Sequence, residues 1–374
     1  MSTEKPVAAQ RLLSLDALRG FNMFFITGGD SFLWALSWLV SGRTDAWLAT
    51  QMKHVPWQGL HFYDTIFPLF LFITGVTFPF STAKRRERGD SDGAIARNVI
   101  RRTLVLVACG LVFSQIQNCD WEHFRVWSVI GRIGLVWGIA ALLTLFLRLR
   151  TCIIVSAAIL VGWWLLLRFV PAPGAPAGIN PLLDPQYCID RWVDANFLTT
   201  AHRGEGGLAT IAMIPTAFFG IWAGMYLKRT GEDHAGSRKT LRMLCAAAAL
   251  ALAGWLWSLP TWGCPIIKNC WSGSFALVTG GISLALLAAF HWLIDVRGWA
   301  GWSFYFRVIG VNAIAIYMGQ KFIPFKDIGK FFLGALPQLF ENPAWASWIG
   351  TCGRLAAAWA LLYFLYRKRI FIKA

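Results

Sequence analysis

The sequence predicts an all-α, polytopic membrane protein, and three observations support this fold class. The 374 residues are 56% hydrophobic with a mean hydropathy of +0.52, which is more apolar side chain than a soluble core of this length holds. The apolar residues gather into runs of about 20, the length with which an α-helix crosses a hydrocarbon core. Lys and Arg give a net charge of +16, yet they cluster between these runs, as in membrane proteins and unlike a nucleic-acid-binding face.

Ten runs are predicted to span the membrane within a single transmembrane domain over residues 1–374. An N-terminal segment, 1–15, precedes the first span, and a C-terminal tail, 367–374, follows the last. The spans are 18–40, 57–81, 103–119, 128–147, 151–170, 208–227, 241–260, 273–294, 303–322 and 347–366.

Short basic segments fall between alternate spans and therefore on one side of the predicted bundle. By the positive-inside rule this side is cytoplasmic, and so are both termini. The first span is too long and its flank too polar for a cleaved signal peptide, so we expect it to act as an uncleaved insertion signal. The basic segments are 83–102, 148–150, 228–243, 295–298 and 366–369.

The loops on the opposite, extracytoplasmic side are longer and less basic, and the longest is 171–207. Tryptophans at the loop edges fit an interfacial aromatic belt. Four of the eight cysteines, Cys119, Cys188, Cys264 and Cys270, lie on this side, where an oxidising compartment would allow disulfides. The sequence leaves their pairing open, although Cys264 and Cys270 are the closest pair along the chain.

The stretch 53–75, KHVPWQGLHFYDTIFPLFLFITG, joins a histidine to a carboxylate at the second span. His54 is predicted at the outer mouth of the bundle, where histidine can exchange protons near neutral pH or serve a purely structural role. Asp64 follows Trp57 by seven residues, about 10 Å into the predicted helix. Contact with His54 therefore requires the preceding loop to fold inward; otherwise Asp64 pairs with a buried arginine. Pro68 is expected to kink this span.

Asp30 lies about a dozen residues into the first span, where an ionisable group needs a cavity or a partner. The preceding Gly28 and Gly29 would let a ligand or another helix approach closely. Asp30 is therefore a candidate for catalysis, with a structural ion pair to a buried arginine as the alternative.

Arg125 and Arg132 share a face at the entry to the fourth span. They either hold a carboxylate or phosphate of a substrate or bridge to Asp30, Asp64 or Glu205. The position of Glu205 just before a helix is favoured by the helix dipole whatever its function.

Two further groups of polar residues are candidates for substrate contact. One is the sequence KNCWSGS at the outer start of the eighth span, and the other lies inside the ninth. The side-chain amide of Asn312, in the ninth span, can bind a thioester carbonyl, a sugar hydroxyl or a neighbouring helix equally well. The residues are Lys268, Asn269, Trp271, Ser274, Asn312 and Tyr317.

Six motifs in order resemble the family of transmembrane acetyltransferases typified by heparan-alpha-glucosaminide N-acetyltransferase, in a bacterial branch without the extra luminal domain. The resemblance runs from about residue 11 to residue 369. The motifs are RLLSLDALRGFNMF, KHVPWQGLHFYDTIFPLFLFITG, VIGRIG, EGGLATI, KNCWSGSF and GVNAIAIYMG.

The resemblance implies an enzyme of the inner membrane that moves an acetyl group from cytosolic acetyl-CoA, without a metal, to a glucosamine-type amine on the far side. It implies His54 as the catalytic residue, and it suggests a homodimer. We expect His54 to act as general base, Asp30 or Asp64 to orient it or the amine, and Asn269 or Asn312 to hold the carbonyl. Asp30 stands where the animal enzymes carry Asn, so a role that needs an amide is not expected there.

The phosphates of CoA are expected at the cytoplasmic mouth, near Arg19, Arg97, Arg101 and Arg102. These arginines otherwise face lipid phosphates and set the topology. Arg19 is the first choice because it lies inside a motif.

Two alternatives stay open at this point. One is a secondary transporter or flippase for an amino sugar or lipid-linked glycan, which would also need intramembrane Asp and Arg. The other is an acetyl-histidine intermediate in place of direct transfer. No HxxxH or CxxC spacing indicates a metal site, and no GxxxxGK[ST] loop indicates ATP-driven transport.

Overall fold

A computed structural model describes residues 12–115, 127–197, 205–229, 236–259 and 261–372. Its secondary structure over these residues consists of helices, joined by turns and two isolated β-bridges, Gln58 to Ile267 and Pro171 to Cys188. The α-helices are α1 Leu13–Phe24, α2 Asp30–Ser41, α3 Trp47–Gln51, α4 Ile66–Glu87, α5 Asp92–Gln115, α6 Val129–Phe146, α7 Leu149–Phe169, α8 Ile189–Phe197, α9 Ile214–Lys228, α10 Gly236–Ser258, α11 Gly273–Phe290, α12 Phe304–Val311, α13 Ala313–Phe322, α14 Phe325–Leu333 and α15 Pro343–Arg367.

Eight helical stretches among the described residues are long and apolar enough to cross a membrane, which confirms a polytopic, all-helical membrane protein. They are Leu13–Ser41, Phe62–Glu87, Val129–Phe146, Leu149–Phe169, Leu208–Lys228, Gly236–Ser258, Gly273–Val296 and Pro343–Arg367.

Two of the ten predicted spans are not among these eight. Residues 103–115 of the predicted span 103–119 lie in α5, which begins in a charged segment at Asp92; the rest of that span lies outside the described residues. The predicted span 303–322 is divided at Asn312 into the two short helices α12 and α13. The number of ten spans and the orientation of the termini remain predictions.

The start of the second span corrects the prediction that placed it at residue 57. Pro56 and Gly59, the latter with φ of +122°, keep this part of the chain out of a helix. A 3₁₀ turn at Phe62–Thr65 then leads into α4. Asp64 therefore lies at the mouth of the bundle rather than about 10 Å inside it. Pro68 lies in the first turn of α4, where proline is tolerated.

The first predicted span is not a single straight helix. A π-helical turn, Phe25–Gly29, separates α1 from α2, and Gly28 within it has φ of +132°. A Cβ added to Gly28 would lie 3.3 Å from Cζ of Arg354, so only glycine fits this backbone and its neighbour. The break places Asp30 at the first residue of α2.

The bundle has two chemically different ends. One, which we call the basic end, carries Arg86 and Lys228 at the C-terminal ends of α4 and α9, which line one cavity. Arg19 and Arg102 line a second cavity at this end. The opposite end, which we call the mouth, carries His54, Glu205 and Lys268. The core between the two ends is a continuous apolar cluster that includes residues of α4, α6, α9 and α11.

Helices α4 and α9 cross in backbone contact at the centre of the bundle. A Cβ added to Gly220 would collide with the carbonyl oxygen of Phe72, and Gly75 faces the carbonyl oxygen of Ala217 in the same way. Close approach through small residues is a common way for membrane helices to associate.

We expect Gly220→Ala to lower the unfolding temperature, because overpacking of this kind costs about 1–3 kcal/mol. Gly162→Ala in α7 is the matched control, since nothing lies within 4 Å of a Cβ added there. Thermal unfolding of the detergent-purified protein measures both variants. An unchanged midpoint for Gly220→Ala would contradict the close packing of α4 on α9.

The cysteines on the predicted outer side are free thiols where the structure describes them. Cys188, Cys264 and Cys270 are each fully buried. Cys188 contacts Cys270. Cys264 and Cys270, the closest pair along the chain, do not form a disulfide with each other. Cys119 lies outside the described residues.

Candidate functional site

The mouth of the bundle is organised around a histidine bound to a buried carboxylate. Nδ1 of His54 lies 2.7 Å from Oδ1 of Asp64. The side chain of Asp64 is 1% exposed, whereas that of His54 is 52% exposed. Oδ2 of Asp64 accepts hydrogen bonds from the backbone N–H groups of Val55, at 3.3 Å, and His61, at 3.0 Å. The pair thus has a fixed acid and an accessible imidazole.

The loop that carries His54 folds inward because a segment distant in the sequence holds it. The backbone N–H of Gly59 donates to the carbonyl of Ile266 at 2.9 Å. The side-chain amide of Asn269 donates to the carbonyl of Pro56 at 3.1 Å. Closer to the pair, Nδ1 of His61 lies 3.0 Å from the carbonyl oxygen of Lys53. The geometry that the sequence left open is therefore set by Ile266 and Asn269, just before and inside the KNCWSGS segment.

Lys268 extends the pair into a charged network. Its Nζ lies 2.9 Å from Nδ1 and 3.3 Å from Nε2 of His54, and 3.4 Å from Oδ1 of Asp64. The same Nζ lies 3.6 Å from Oε1 of Glu205, whose Oε2 lies 3.6 Å from Nη1 of Arg132. Arg132 also donates to the backbone carbonyl of Glu205. Two carboxylates and two cations therefore surround the imidazole of His54.

The network determines which nitrogen of His54 is available. When Nδ1–H donates to Asp64, the lone pair of the neutral ring lies on Nε2. Lys268 can then donate to Nε2, Asp64 or Glu205. In this tautomer Nε2 is the nitrogen of His54 that can accept a proton, and Nζ of Lys268 lies 3.3 Å from it.

Tyr63 is a site residue that the sequence reasoning missed. Its ring packs on the His54 imidazole with 4.8 Å between the centroids. The side chain of Tyr63 also interacts with Asp30, and Arg354 lies near Tyr63. Asp30 is thus linked to His54 through Tyr63 rather than bound to the imidazole as Asp64 is. The local sequence around Tyr63 does not predict its contact with His54, because the fold of the intervening loop brings the two rings together.

A cavity of about 570 Å³ opens at the mouth and reaches into the bundle. A second cavity, of about 470 Å³, extends from the basic end. Four apolar residues line both cavities and form a neck between them: Phe70, Ile130, Ile133 and Ile314. The cavity of the mouth and the cavity with the arginines of the basic end therefore adjoin each other at these four residues.

Comparison with known proteins shows similarity to two mammalian proteins of the same name. The chain is 26% identical over 426 aligned positions to heparan-alpha-glucosaminide N-acetyltransferase of Homo sapiens. It is 25% identical over 429 positions to the protein of the same name from Mus musculus. These alignments cover 97% and 98% of this chain. Over nearly its whole length the chain is distantly similar to this transmembrane acyltransferase family.

The comparison confirms the resemblance read from the six motifs. The chain spans about three fifths of the length of these relatives, 60% and 61%. No protein-family profile matches the chain.

The structure brings together part of the set of residues predicted from the sequence. His54, Glu205, Lys268, Asn269 and Tyr317 line the cavity at the mouth. Asp64 and Arg132 contact these residues from behind.

Other predicted residues lie elsewhere in the described part of the chain. Trp57 donates from Nε1 to the carbonyl of Leu182 at 2.9 Å, in the outer loop. Trp271 is fully buried and donates to Oγ1 of Thr216, and Ser274 donates to the carbonyl of Pro265. These contacts are those of packing residues that hold the KNCWSGS segment in shape.

The residues predicted near the cytoplasmic side also separate into two groups. Arg19 and Arg102 line the cavity of the basic end, whereas Arg97 and Arg101 are exposed.

Asn312 is fully buried, and its side-chain amide bonds the backbone of the C-terminal segment: its Nδ2 donates to the carbonyl of Ile370 at 3.0 Å, and its Oδ1 accepts from the backbone N–H of Ile372 at 2.9 Å. Arg125 lies outside the described residues.

Proposed function

We propose that this protein is a transmembrane N-acetyltransferase that passes an acetyl group from acetyl-CoA to the amine of a glucosamine-type sugar. The single observation that carries the proposal is the His54–Asp64 pair beside a cavity that adjoins, at the apolar neck, a second cavity lined by arginines. The distant similarity to heparan-alpha-glucosaminide N-acetyltransferase supports the same reaction class.

The basic end has the chemistry to bind the donor. Arg19 and Arg102 offer guanidinium groups for phosphates, and Thr74, Thr77 and Ser81 add hydroxyl groups along the same cavity. The apolar neck suits the thin pantetheine arm, which carries few charges. Because the basic segments follow the positive-inside pattern, we assign this end to the cytoplasm, where acetyl-CoA is made.

The mouth has the chemistry to accept the acetyl group. The amine nitrogen attacks the thioester carbonyl, its proton passes to Nε2 of His54, and the C–S bond breaks to release CoA as a thiolate that takes up a proton. Asp64 holds Nδ1–H and stabilises the imidazolium that forms, as a buried carboxylate does for a catalytic histidine.

Lys268 and Asn269 are the residues best placed to stabilise the oxyanion of the tetrahedral intermediate. Both line the cavity beside His54, and an ammonium group in a partly dry site favours a developing negative charge. Asn312, the other amide considered from the sequence, uses both of its polar atoms to bind the C-terminal segment. We therefore assign the carbonyl contact to Asn269.

The experiment that tests the proposal is acetyl transfer by the purified protein. Labelled acetyl-CoA and glucosamine should give labelled N-acetylglucosamine, and acetyl-CoA alone should raise the unfolding temperature. Absence of both effects would exclude the acetyltransferase. Rapid quenching without acceptor then separates the two schemes, since a label on the protein indicates an acetyl-histidine and its absence indicates direct transfer.

Arg102→Gln is expected to raise the KM for acetyl-CoA by about 10–100-fold with a smaller effect on kcat, because a charge-assisted contact is worth about 1.5–3 kcal/mol. Arg97→Gln, on the exposed face of the same helix, is the matched control. Steady-state kinetics at two salt concentrations measures the effect, which should shrink at high salt. Equal KM values for the two variants would place the CoA phosphates elsewhere.

A further inference from the structure

Two buried aspartates lie beneath the segment that carries Glu205. Asp190 and Asp194 are one turn apart on α8, so they share a helix face. Their exposed fractions are 0% and 2%. Buried carboxylates are rare unless a partner or a proton compensates their charge. Neither residue is part of the network around His54 described above.

Both carboxylates meet the backbone at Gly206. Asp194 accepts hydrogen bonds from the backbone N–H of Gly207, at 2.8 and 2.7 Å to its two oxygens, and of Leu208, at 3.4 Å. A Cβ added to Gly206 would lie 2.7 Å from Oδ2 of Asp194 and 2.8 Å from each oxygen of Asp190. The carboxyl groups of both acids thus pack against Gly206, and only glycine fits between them.

The two acids differ in their surroundings. Asp194 has backbone donors, as a carboxylate requires, whereas neither oxygen of Asp190 has a hydrogen-bond partner within the described part of the chain. Burial raises the pKa of Asp190 well above its usual value, and Cys188 and Asp194 raise it further. Arg132 and the backbone amide of Ala209 lower the pKa of Asp190, although by less than burial raises it. Cys270 is the other titratable group nearby.

We propose that a protonated Asp190 lies beside an ionised Asp194, and that the two acids act as a clamp that positions Glu205 beside Arg132 and Lys268. The proton resides on Asp190, so the clamp carries one negative charge rather than two. Asp190 is a positioning residue, since it acts through Glu205 and does not touch the reacting atoms. The role in catalysis rests on the function proposed for the His54 site.

The clamp has a consequence for Lys268. Glu205 attracts the ammonium group of Lys268 from one side while Asp64 and His54 attract it from the other. If a second negative charge on Asp190 repelled Asp194 and released the Glu205 segment, Lys268 would lose one of its two carboxylates. It would then hold Nε2 of His54 more tightly, and kcat would fall more than KM rises.

The tests compare Asp190→Asn, which mimics the neutral acid, with Asp190→Ala, which leaves a hole. We expect Asp190→Asn to keep kcat within about threefold of the wild type and Asp190→Ala to lose at least tenfold. The alkaline fall in the kcat profile that Asp190 contributes should be absent from Asp190→Asn. Equal loss in both variants, or an unchanged alkaline limb, would overturn the clamp.

A second readout is independent of activity. A carboxyl with a raised pKa in the folded state contributes stability below its unfolded pKa, and this stability is lost as pH rises through the folded pKa. The unfolding temperature of the wild type should therefore fall relative to that of Asp190→Asn as pH rises above the ordinary carboxyl pKa of about 4, by about 2 °C or more. Asp184→Asn is the control, because the carboxylate of Asp184 accepts a hydrogen bond from the backbone N–H of Gln186 at the surface.

A difference in unfolding temperature between wild type and Asp190→Asn that does not change with pH would refute a proton on Asp190. If the wild type transferred no acetyl group, the proposed function would fail, yet the stability comparison would still decide whether Asp190 carries the proton. The two failures are therefore distinguishable.

Discussion

His54→Ala is expected to lower acetyl transfer by about 10²–10⁴-fold, the range for loss of a positioned general base. The side chain is more than half exposed at the mouth and has no role in the apolar core, so the variant should fold. The loss should appear in kcat, because Lys268, Asn269 and the arginines of the basic end remain to bind the substrates. Single-turnover transfer to glucosamine measures the chemical step directly.

The matched control for His54→Ala is His291→Gln. His291 is also paired with an aspartate, since its Nδ1 lies 3.1 Å from Oδ2 of Asp295, but it follows α11 at the basic end. We expect near wild-type transfer from this variant. If His54→Ala retained full activity, the general-base assignment would be wrong whatever the fate of the control.

Asp64→Asn is expected to cost about 10²–10⁴-fold in kcat while leaving the KM for acetyl-CoA unchanged. An amide nitrogen facing Nδ1 would favour the tautomer with its proton on Nε2, which cannot accept a proton from the amine. The substitution would also leave Lys268 with one carboxylate fewer. The pH–rate profile and steady-state kinetics in both substrates measure these effects.

Stability must be separated from catalysis in this variant, because Asp64 also binds two backbone N–H groups. Asparagine keeps one acceptor oxygen for them, so we expect a modest fall in unfolding temperature. Asp45→Asn serves as the control, since Asp45 is paired with Arg43 at the surface of the same side of the protein. Wild-type kcat in a folded Asp64→Asn variant would show that Asp64 does not orient His54.

The membrane fold followed from the sequence because hydrocarbon imposes one dominant constraint, a run of apolar residues of fixed length. The first and last residues of the helices were predicted less accurately from the sequence. The second span starts at Phe62 because Pro56 and Gly59 terminate regular structure before it. The break at Asn312 was also missed, because an apolar run gives no sign that an amide will bind the chain at Ile370 instead of a neighbouring helix.

The sequence named several residues that line the candidate site, but it did not give their geometry. Motif resemblance singled out His54 and Lys268, yet 214 positions separate them along the chain, and no local pattern places their side chains in contact. Tyr63, Asp190 and Asp194 were missed for the same reason. Their roles depend on how the loop at 52–61 and the helix α8 fold onto distant segments, which helical periodicity does not encode.

The central claim is that the acetyl group crosses the protein from the basic end to His54. Proteoliposomes with acetyl-CoA on one side only and glucosamine on the other test it most directly. We predict that N-acetylglucosamine accumulates on the glucosamine side with the wild type and stays at background with His54→Ala. Product that forms only when both substrates share a side, or glucosamine that crosses unacetylated regardless of His54, would contradict the account.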